Sequence, residues 1–337
     1  MVKNKKIFFL IVILLALLII NCKHNEKPIE EEQEFSITVS YHPQRKYPDY
    51  NELFFSGGKG YEFRNDESNK LLIVLEGGGT ESAIGNLMVG RGIDYLLSVN
   101  ELRERYTFFV PEKFNRMIGM NYWKDMEDLE RYTIDNLLDN YYEVITEYLS
   151  YNDYESIVIF GGSEGGIILP LLYNRLDNKN IKALVSFAAG GGLTYYEETQ
   201  ILYKKVLSND ISFALLSEDK RAYNINSMEE GLQEYQTEPY PDSFERVTMT
   251  TTSRRYATSR MRLNLFEQLK KIKIPMLFMH GELDINIPVE STRAIEEKLP
   301  NNPFDFIYYP QWAHQLVGEQ VYVLQRDITQ WILRIDQ

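Results

Sequence analysis

Six residues, Gly161-Gly162-Ser163-Glu164-Gly165-Gly166, stand between two apolar runs, and they constrain the fold more than any other stretch. Before them lies Ile157-Val158-Ile159-Phe160, short, β-branched and bounded by a turn signal, which predicts a buried strand. After them Ile167 to Leu172 is apolar and long enough to open a helix. The pattern is therefore strand, sharp turn with a serine at its apex, helix. Larger residues beside that serine would collide where strand and helix cross, so the flanking glycines have a steric reason. Pro170 falls early in the expected helix, cannot donate to the Gly166 carbonyl, and predicts a kink or local adjustment there.

Strand and helix signals alternate along the rest of the chain. Strands are expected at Leu71–Leu75, Tyr106–Pro111, Ile181–Phe187, Ile274–His280 and Phe306–Tyr309. Between them, Ile134, Leu137, Leu138, Tyr141, Val144, Ile145 and Leu149 recur at helical spacing, and helices are expected at Ser291–Leu299 and Gln320–Ile335. Upstream, Phe35–Tyr41 reads as a first strand, and Leu53–Phe55, Gly57-Gly58 and Tyr61–Phe63 read as a hairpin. This order predicts an α/β fold with a doubly wound, mostly parallel sheet. A chain of 337 residues suffices for one such domain with insertions. The alternation stops between Gly192 and Asn264, a span too long for a bare loop. We expect residues 192–264 to form a helical cap between core segments 35–191 and 265–337; a surface excursion away from the site is the alternative.

Three further segments bear on chemistry. Glu76-Gly77-Gly78-Gly79-Thr80 follows a strand at once, and its glycines allow backbone N–H groups to approach a ligand closely. The strand ending at His280 runs into Gly281-Glu282-Leu283-Asp284, which offers two carboxylates just past a strand's carboxyl end. The last strand is followed by Trp312-Ala313-His314. Of the four histidines, His24 and His42 are N-terminal and His280 precedes the acids, which leaves His314 as the candidate base.

These segments, in the order Ser163, Asp284, His314, make residues 70–335 resemble an α/β-hydrolase of the serine esterase and aminopeptidase type. Gly162-Ser163-Glu164-Gly165-Gly166 is similar to the turn of bacterial esterases and prolyl-oligopeptidase-like enzymes. The resemblance implies the α/β-hydrolase fold with a helical cap. It also implies hydrolysis of an acyl ester through an acyl-enzyme, with Ser163 as nucleophile, His314 as base and Asp284 as the acid that orients it. The family's H-G-x-x-D spacing favours Asp284 over Glu282. The amide of Glu164 and one from Gly78 or Gly79 would hold the oxyanion. Glu76 stands where esterases of the HGGG type have histidine, so only the backbone role is carried over. A peptidase of the prolyl-oligopeptidase kind and a non-catalytic binding protein on the same fold are the alternatives. The first needs an anchor for a free amino terminus, for which Glu197-Glu198 and Glu229-Glu230 are candidates. Arg254, Arg255, Arg260 and Arg262 present either a solvated helix face or a site for a substrate carboxylate, and Tyr195, Tyr196 and Tyr256 are candidate pocket residues. His280 is expected to be structural. No dinucleotide or phosphate-loop motif occurs, and histidines are too few for a zinc site, so no cofactor and no metal are expected.

The N-terminus reads as a targeting segment. Lys3, Lys5 and Lys6 precede 14 apolar residues, Ile7 to Ile20, and then Asn21-Cys22. That run has signal-peptide length and falls short of a membrane span. Cys22 is the sole cysteine. Its place resembles the lipidation site of a bacterial lipoprotein, although Asn21 departs from the small residue usual there. The expected arrangement is a signal peptide over 1–21, a charged tether over 22–34, and an exported body held to the membrane of the cell envelope by lipid on Cys22. An uncleaved signal anchor is the alternative. A net charge of −13, with no basic run in the body, argues against nucleic acid as a partner and leaves a small acyl substrate.

Overall fold

The computed structural model describes residues 49–78, 83, 94–114, 131–214, 216–243 and 253–336, all within the unit Thr38–Gln337. The strand expected at Phe35–Tyr41, the N-terminal segment with Cys22, and Gly79 lie outside the described residues.

Eight strands form one sheet: β1 (Asn51–Phe55), β2 (Gly58–Phe63), β3 (Lys70–Leu75), β4 (Thr107–Pro111), β5 (Ser156–Gly162), β6 (Ile181–Phe187), β7 (Met276–Gly281) and β8 (Phe304–Tyr309). Their order across the sheet is β1-β2-β4-β3-β5-β6-β7-β8. The expected hairpin is β1–β2, antiparallel, and β2 pairs antiparallel with β4. Every other pairing is parallel. This is the mostly parallel sheet that the alternation predicted, in the α/β-hydrolase architecture that the resemblance implied.

Parallel strands are covered on both faces, and their side chains divide by the period of two. Leu71, Ile73 and Leu75 of β3 enter one buried cluster, whereas Leu72 and Val74 enter the other. The first cluster is completed by α1 (Ile134–Tyr151) and α2 (Glu164–Leu176), the second by the C-terminal helix (Glu319–Ile335). Helix α1 starts at Thr133, whose side chain accepts from the Asn136 amide, and buries Ile134, Leu137, Tyr141, Val144, Ile145 and Tyr148 along one stripe. Helix α2 continues through the buried Pro170 to Leu176 and ends at Asp177, which is in the left-handed region at φ 43°. The helix is thus continuous past the position where the sequence predicted a kink or local adjustment.

The segment 192–264 is largely helical over its described residues and divides in two. Its first part, α3 (Tyr195–Leu207) and α4 (Glu218–Glu234), builds a small apolar cluster of its own from Leu202, Val206, Phe213 and Met228. Thr194 and Glu197 close a capping box at the start of α3. Its second part, α5 (Arg254–Arg262), sends Tyr256 into the main core beside α1 and α2. Beyond β7 lies α6 (Val289–Lys298), and α7 is the C-terminal helix already given. Among the described residues no helix is long and apolar enough to cross a membrane.

One consequence of the strand order positions the site. The chain runs from β3 outward to β4 on one side and from β5 outward to β6 on the other. The order therefore reverses between β3 and β5, and the crevice at their carboxyl ends is where open α/β sheets bind ligands.

Candidate active site

Ser163 leaves β5 at that crevice and precedes the first residue of α2, with φ 51° and ψ −114°. This backbone is sparsely populated for a residue with a side chain, and its surroundings hold it there. The Ser163 amide donates to the Phe187 carbonyl at 2.7 Å. Behind it, a Cβ on Gly165 would collide with the Leu75 carbonyl at the end of β3, which is why only glycine fits. The β3–β5 pair and the turn are thus locked face to face.

The loops after β7 and β8 are joined in the same way. Leu283 donates its amide to the Trp312 carbonyl and Glu282 to the Tyr309 carbonyl, each at 2.9 Å. Trp312 stacks on Tyr309 with ring centroids 3.5 Å apart. The result brings Asp284 and His314, 30 residues apart, to 2.7 Å between Oδ2 and Nδ1. His314 Nε2 lies 3.0 Å from Ser163 Oγ. An ionised carboxylate only accepts, so Nδ1 carries the proton and donates it to Asp284, leaving Nε2 as the acceptor of the Ser163 hydroxyl. All three residues expected at the site are therefore in one hydrogen-bonded chain.

Asp284 is almost fully buried. Burial alone would raise its pKa. Hydrogen bonds from His280 and His314, and their positive charge when protonated, outweigh it and hold the carboxyl well below the usual range. Its other oxygen accepts the Asn286 amide at 2.8 Å and the Ile287 amide at 3.0 Å. His280 is buried between the Ile287 carbonyl, 2.9 Å from Nε2, and Thr292 Oγ1, 2.7 Å from Nδ1. Its Nε2 is also 3.4 Å from Asp284, so the expected structural histidine supports the acid loop. The competing acid, Glu282, is turned away and paired with Arg293.

Gly77 packs against the serine: a Cβ there would lie 3.2 Å from the Gly162 carbonyl oxygen and 3.4 Å from Ser163 Cβ. Gly78 lies over Glu164, with 3.8 Å from a Cβ there to Glu164 Cβ. Glu76, in the loop's first position, is buried.

One cluster was not expected from the sequence, which offers Tyr256 only as a candidate pocket residue and Glu164 only for its amide. The Glu164 side chain, next to the serine, is buried and receives Lys113 Nζ and Tyr132 Oη at 2.6 Å each, and Tyr256 Oη at 2.6 Å. Burial would raise its pKa, but the Lys113 charge and the three donors lower it below the ordinary glutamate value. Lys113 also donates to the Gly77 carbonyl. Tyr132 and Tyr256 stack with centroids 4.9 Å apart. The four residues come from the end of β4, the approach to α1, the serine turn and α5, and no short-range pattern joins them.

The remaining candidates have structural partners. Glu197 is consumed by the capping box, and Glu198 is buried, accepting Ser291 Oγ at 2.6 Å and lying 3.4 Å from Arg260. Burial pushes the Glu198 carboxyl up, and Arg260 and Ser291 only partly offset it. Glu229 and Glu230 are exposed on α4. Arg254, Arg255 and Arg262 pair with Glu234, Asp242 and Glu238. Tyr195 lies under the Arg260 guanidinium, 4.2 Å from its ring centroid. Among the described residues no group of three or more His, Cys, Asp or Glu is placed to hold a metal ion.

With this geometry in hand, comparison with known proteins is informative. A family model described as Serine aminopeptidase, S33, matches residues 128–321, more than half of the chain. The chain belongs to this serine aminopeptidase family. A 69-residue stretch is 33% identical to the uncharacterized peptidase YtmA of Bacillus subtilis (strain 168), covering 20% of this chain and 27% of that one. The match thus spans about a quarter of that relative's length. Among solved structures, an esterase of Pyrococcus furiosus, PF2001, superposes with a TM-score of 0.54 at 16% identity, covering 93% of this chain and 100% of the other. Est1E from Butyrivibrio proteoclasticus gives 0.53 at 15%, covering 85% and 98%. A Pyrococcus horikoshii acylaminoacyl peptidase gives 0.51 at 14%, covering 86% of this chain and 41% of its own length. At such identities the likeness establishes the fold alone, one that these two esterases and this peptidase share.

Proposed function

We propose that the protein hydrolyses an acyl ester of a small molecule through an acyl-enzyme intermediate, with Ser163 as nucleophile. The observation that carries this reading is the chain Ser163 Oγ, His314 Nε2, His314 Nδ1, Asp284 Oδ2, at 3.0 and 2.7 Å. In the first half-reaction His314 takes the Ser163 proton as Oγ attacks the acyl carbonyl, and Asp284 stabilises the imidazolium. The carbonyl oxygen becomes an oxyanion held by the Glu164 amide and an amide of the 77–79 loop, each donor worth about 3–4 kcal/mol of barrier. His314 then protonates the leaving alkoxide. In the second half-reaction it deprotonates water, which attacks the acyl-enzyme, and the acid is released with Ser163 restored.

A peptidase reading is kept because the family is named for aminopeptidases and YtmA is called a peptidase. Ester hydrolysis is preferred because Glu197 and Glu198, weighed as an anchor for a free amine, are already engaged by Thr194, Ser291 and Arg260. We further propose that the body is exported and tethered by lipid on Cys22, supported by the apolar run that ends at the sole cysteine.

The test combines a fluorophosphonate probe with a panel of chromogenic esters and aminoacyl amides. Expected are labelling of wild-type Ser163, none of Ser163→Ala, loss of several orders of magnitude in kcat in that variant with its fold intact, and higher kcat/KM for esters than for amides. A variant that keeps more than about a tenth of wild-type turnover contradicts the assignment of Ser163. Faster amide cleavage selects the peptidase reading.

A further inference from the structure

We infer that Lys113 is a positioning residue for the oxyanion site, acting through the peptide that joins Gly77 to Gly78. This rests on the acyl-transfer reading of Ser163 and deepens it. Lys113 follows β4 after one residue, and its side chain is buried, 3% exposed. The ammonium makes two contacts that matter together: it donates to the Gly77 carbonyl and lies 2.6 Å from Glu164 Oε2.

The carbonyl of Gly77 and the N–H of Gly78 belong to one planar, trans peptide, so they point in opposite directions. A group that fixes the carbonyl on one side aims the N–H on the other. Gly77 packs on Ser163 Cβ and Gly78 over Glu164, so this peptide borders the place where a carbonyl attacked by Ser163 would put its oxygen. That makes the Gly78 amide the donor this clamp would aim. Glycine has no side chain to hold this peptide, and a loop of consecutive glycines has many alternatives of similar energy. An ammonium clamp removes that freedom before substrate arrives. It also polarises the peptide, because hydrogen bonds to a charged donor strengthen those made by the rest of the chain.

The pairing with Glu164 has its own logic. A lone carboxylate one residue from the nucleophile would repel a developing oxyanion. Beside Lys113 that charge is cancelled, and Glu164 fixes the ammonium in place with help from Tyr132 and Tyr256. One ammonium thus registers both donors of the oxyanion site, the Gly78 amide through its peptide and the Glu164 amide through its side chain.

The experiment separates positioning from mere stability. Lys113→Met leaves Glu164 buried without a cation and should be strongly destabilised. Lys113→Met/Glu164→Gln removes both charges and should regain much of the lost Tm. For both variants we expect kcat on a chromogenic ester to fall about 10- to 100-fold, less than or equal to the loss of one oxyanion donor, with KM within about threefold. Affinity for a trifluoromethyl ketone, which forms an oxyanion on Ser163, should fall by the same factor. Lys113→Arg, which keeps charge and donors, should restore most of kcat. If the double variant regains kcat along with Tm, or if the ketone binds it as tightly as wild type, Lys113 is only structural and the inference is overturned. If wild-type Ser163 is not labelled by the fluorophosphonate, the acyl-transfer reading itself fails and takes the inference with it.

Discussion

Asp284 shows how a residue in a buried loop is kept in the state that acyl transfer requires. Two backbone amides and two imidazoles surround its carboxylate, and the imidazoles outweigh the cost of burial. Asp284→Asn would place an amide N–H where an acceptor stands, force the opposite tautomer of His314, and put a proton on the nitrogen that should take one. We expect kcat to fall on the order of 10⁴-fold with the fold retained. Glu282→Gln loses only a partly exposed pair with Arg293 and should leave kcat within a few-fold. Reversed effects in the same assay would move the role to Glu282. Glu164 carries a second, independent signature. Its folded pKa lies below the unfolded value of about 4.3, so its ionised form contributes stability that is present above that pH and lost as pH falls through and below it. In urea unfolding, the stability gap between wild type and Glu164→Gln should be widest near pH 7 and narrow below about pH 4. A gap independent of pH would contradict the ionised pairing with Lys113. Ser163, Asp284 and His314 were legible because each follows a strand signal directly and in a telling order. Lys113 and Tyr132 were not, and Tyr256 only as a candidate pocket residue, because each is an ordinary residue whose partner lies between 32 and 92 positions away.

Among the elements, strands and the amphipathic α1 could be read from periodicity, since burial on one or both faces writes itself into composition. Helix α5 could not. Its sequence, Arg254-Arg255-Tyr256-Ala257-Thr258-Ser259-Arg260-Met261-Arg262, reads as a solvated face, yet Tyr256, Ala257 and Thr258 are buried. All four of its arginines find acids in the same inserted segment, namely Glu234, Asp242, Glu198 and Glu238. Residues 192–264 are therefore not one exchangeable unit: α5 supports Glu164, whereas α3 and α4 close a cluster of their own. Replacing 208–233 with a short linker, which keeps α5 and the acids Glu198, Glu234, Glu238 and Asp242 that pair with it, should preserve turnover of small soluble esters and change the preference among longer acyl groups. Relative kcat/KM values identical to wild type across such a panel, in a folded variant, would mean that α4 does not select substrate.

At the scale of the whole molecule, the N-terminal expectation has its own test. Cys22→Ala should release the protein from membranes or leave the precursor uncleaved, and intact mass of the detergent-extracted wild type should show acyl groups on Cys22. A mature chain without them rules the tether out. The Glu164 cluster carries a different kind of consequence. It can close only when the end of β4, the residue before α1's cap, the serine turn and α5 have all arrived. We expect the docking of α5, which joins no strand, to follow the pairing of the sheet. After dilution from urea, far-ultraviolet signal should return first and hydrolysis afterwards, and the lag between them measures how long α5 takes to dock. A chain whose sheet has paired but whose Glu164 cluster is still open is expected to hydrolyse esters poorly, so the protein should become active only when it is whole.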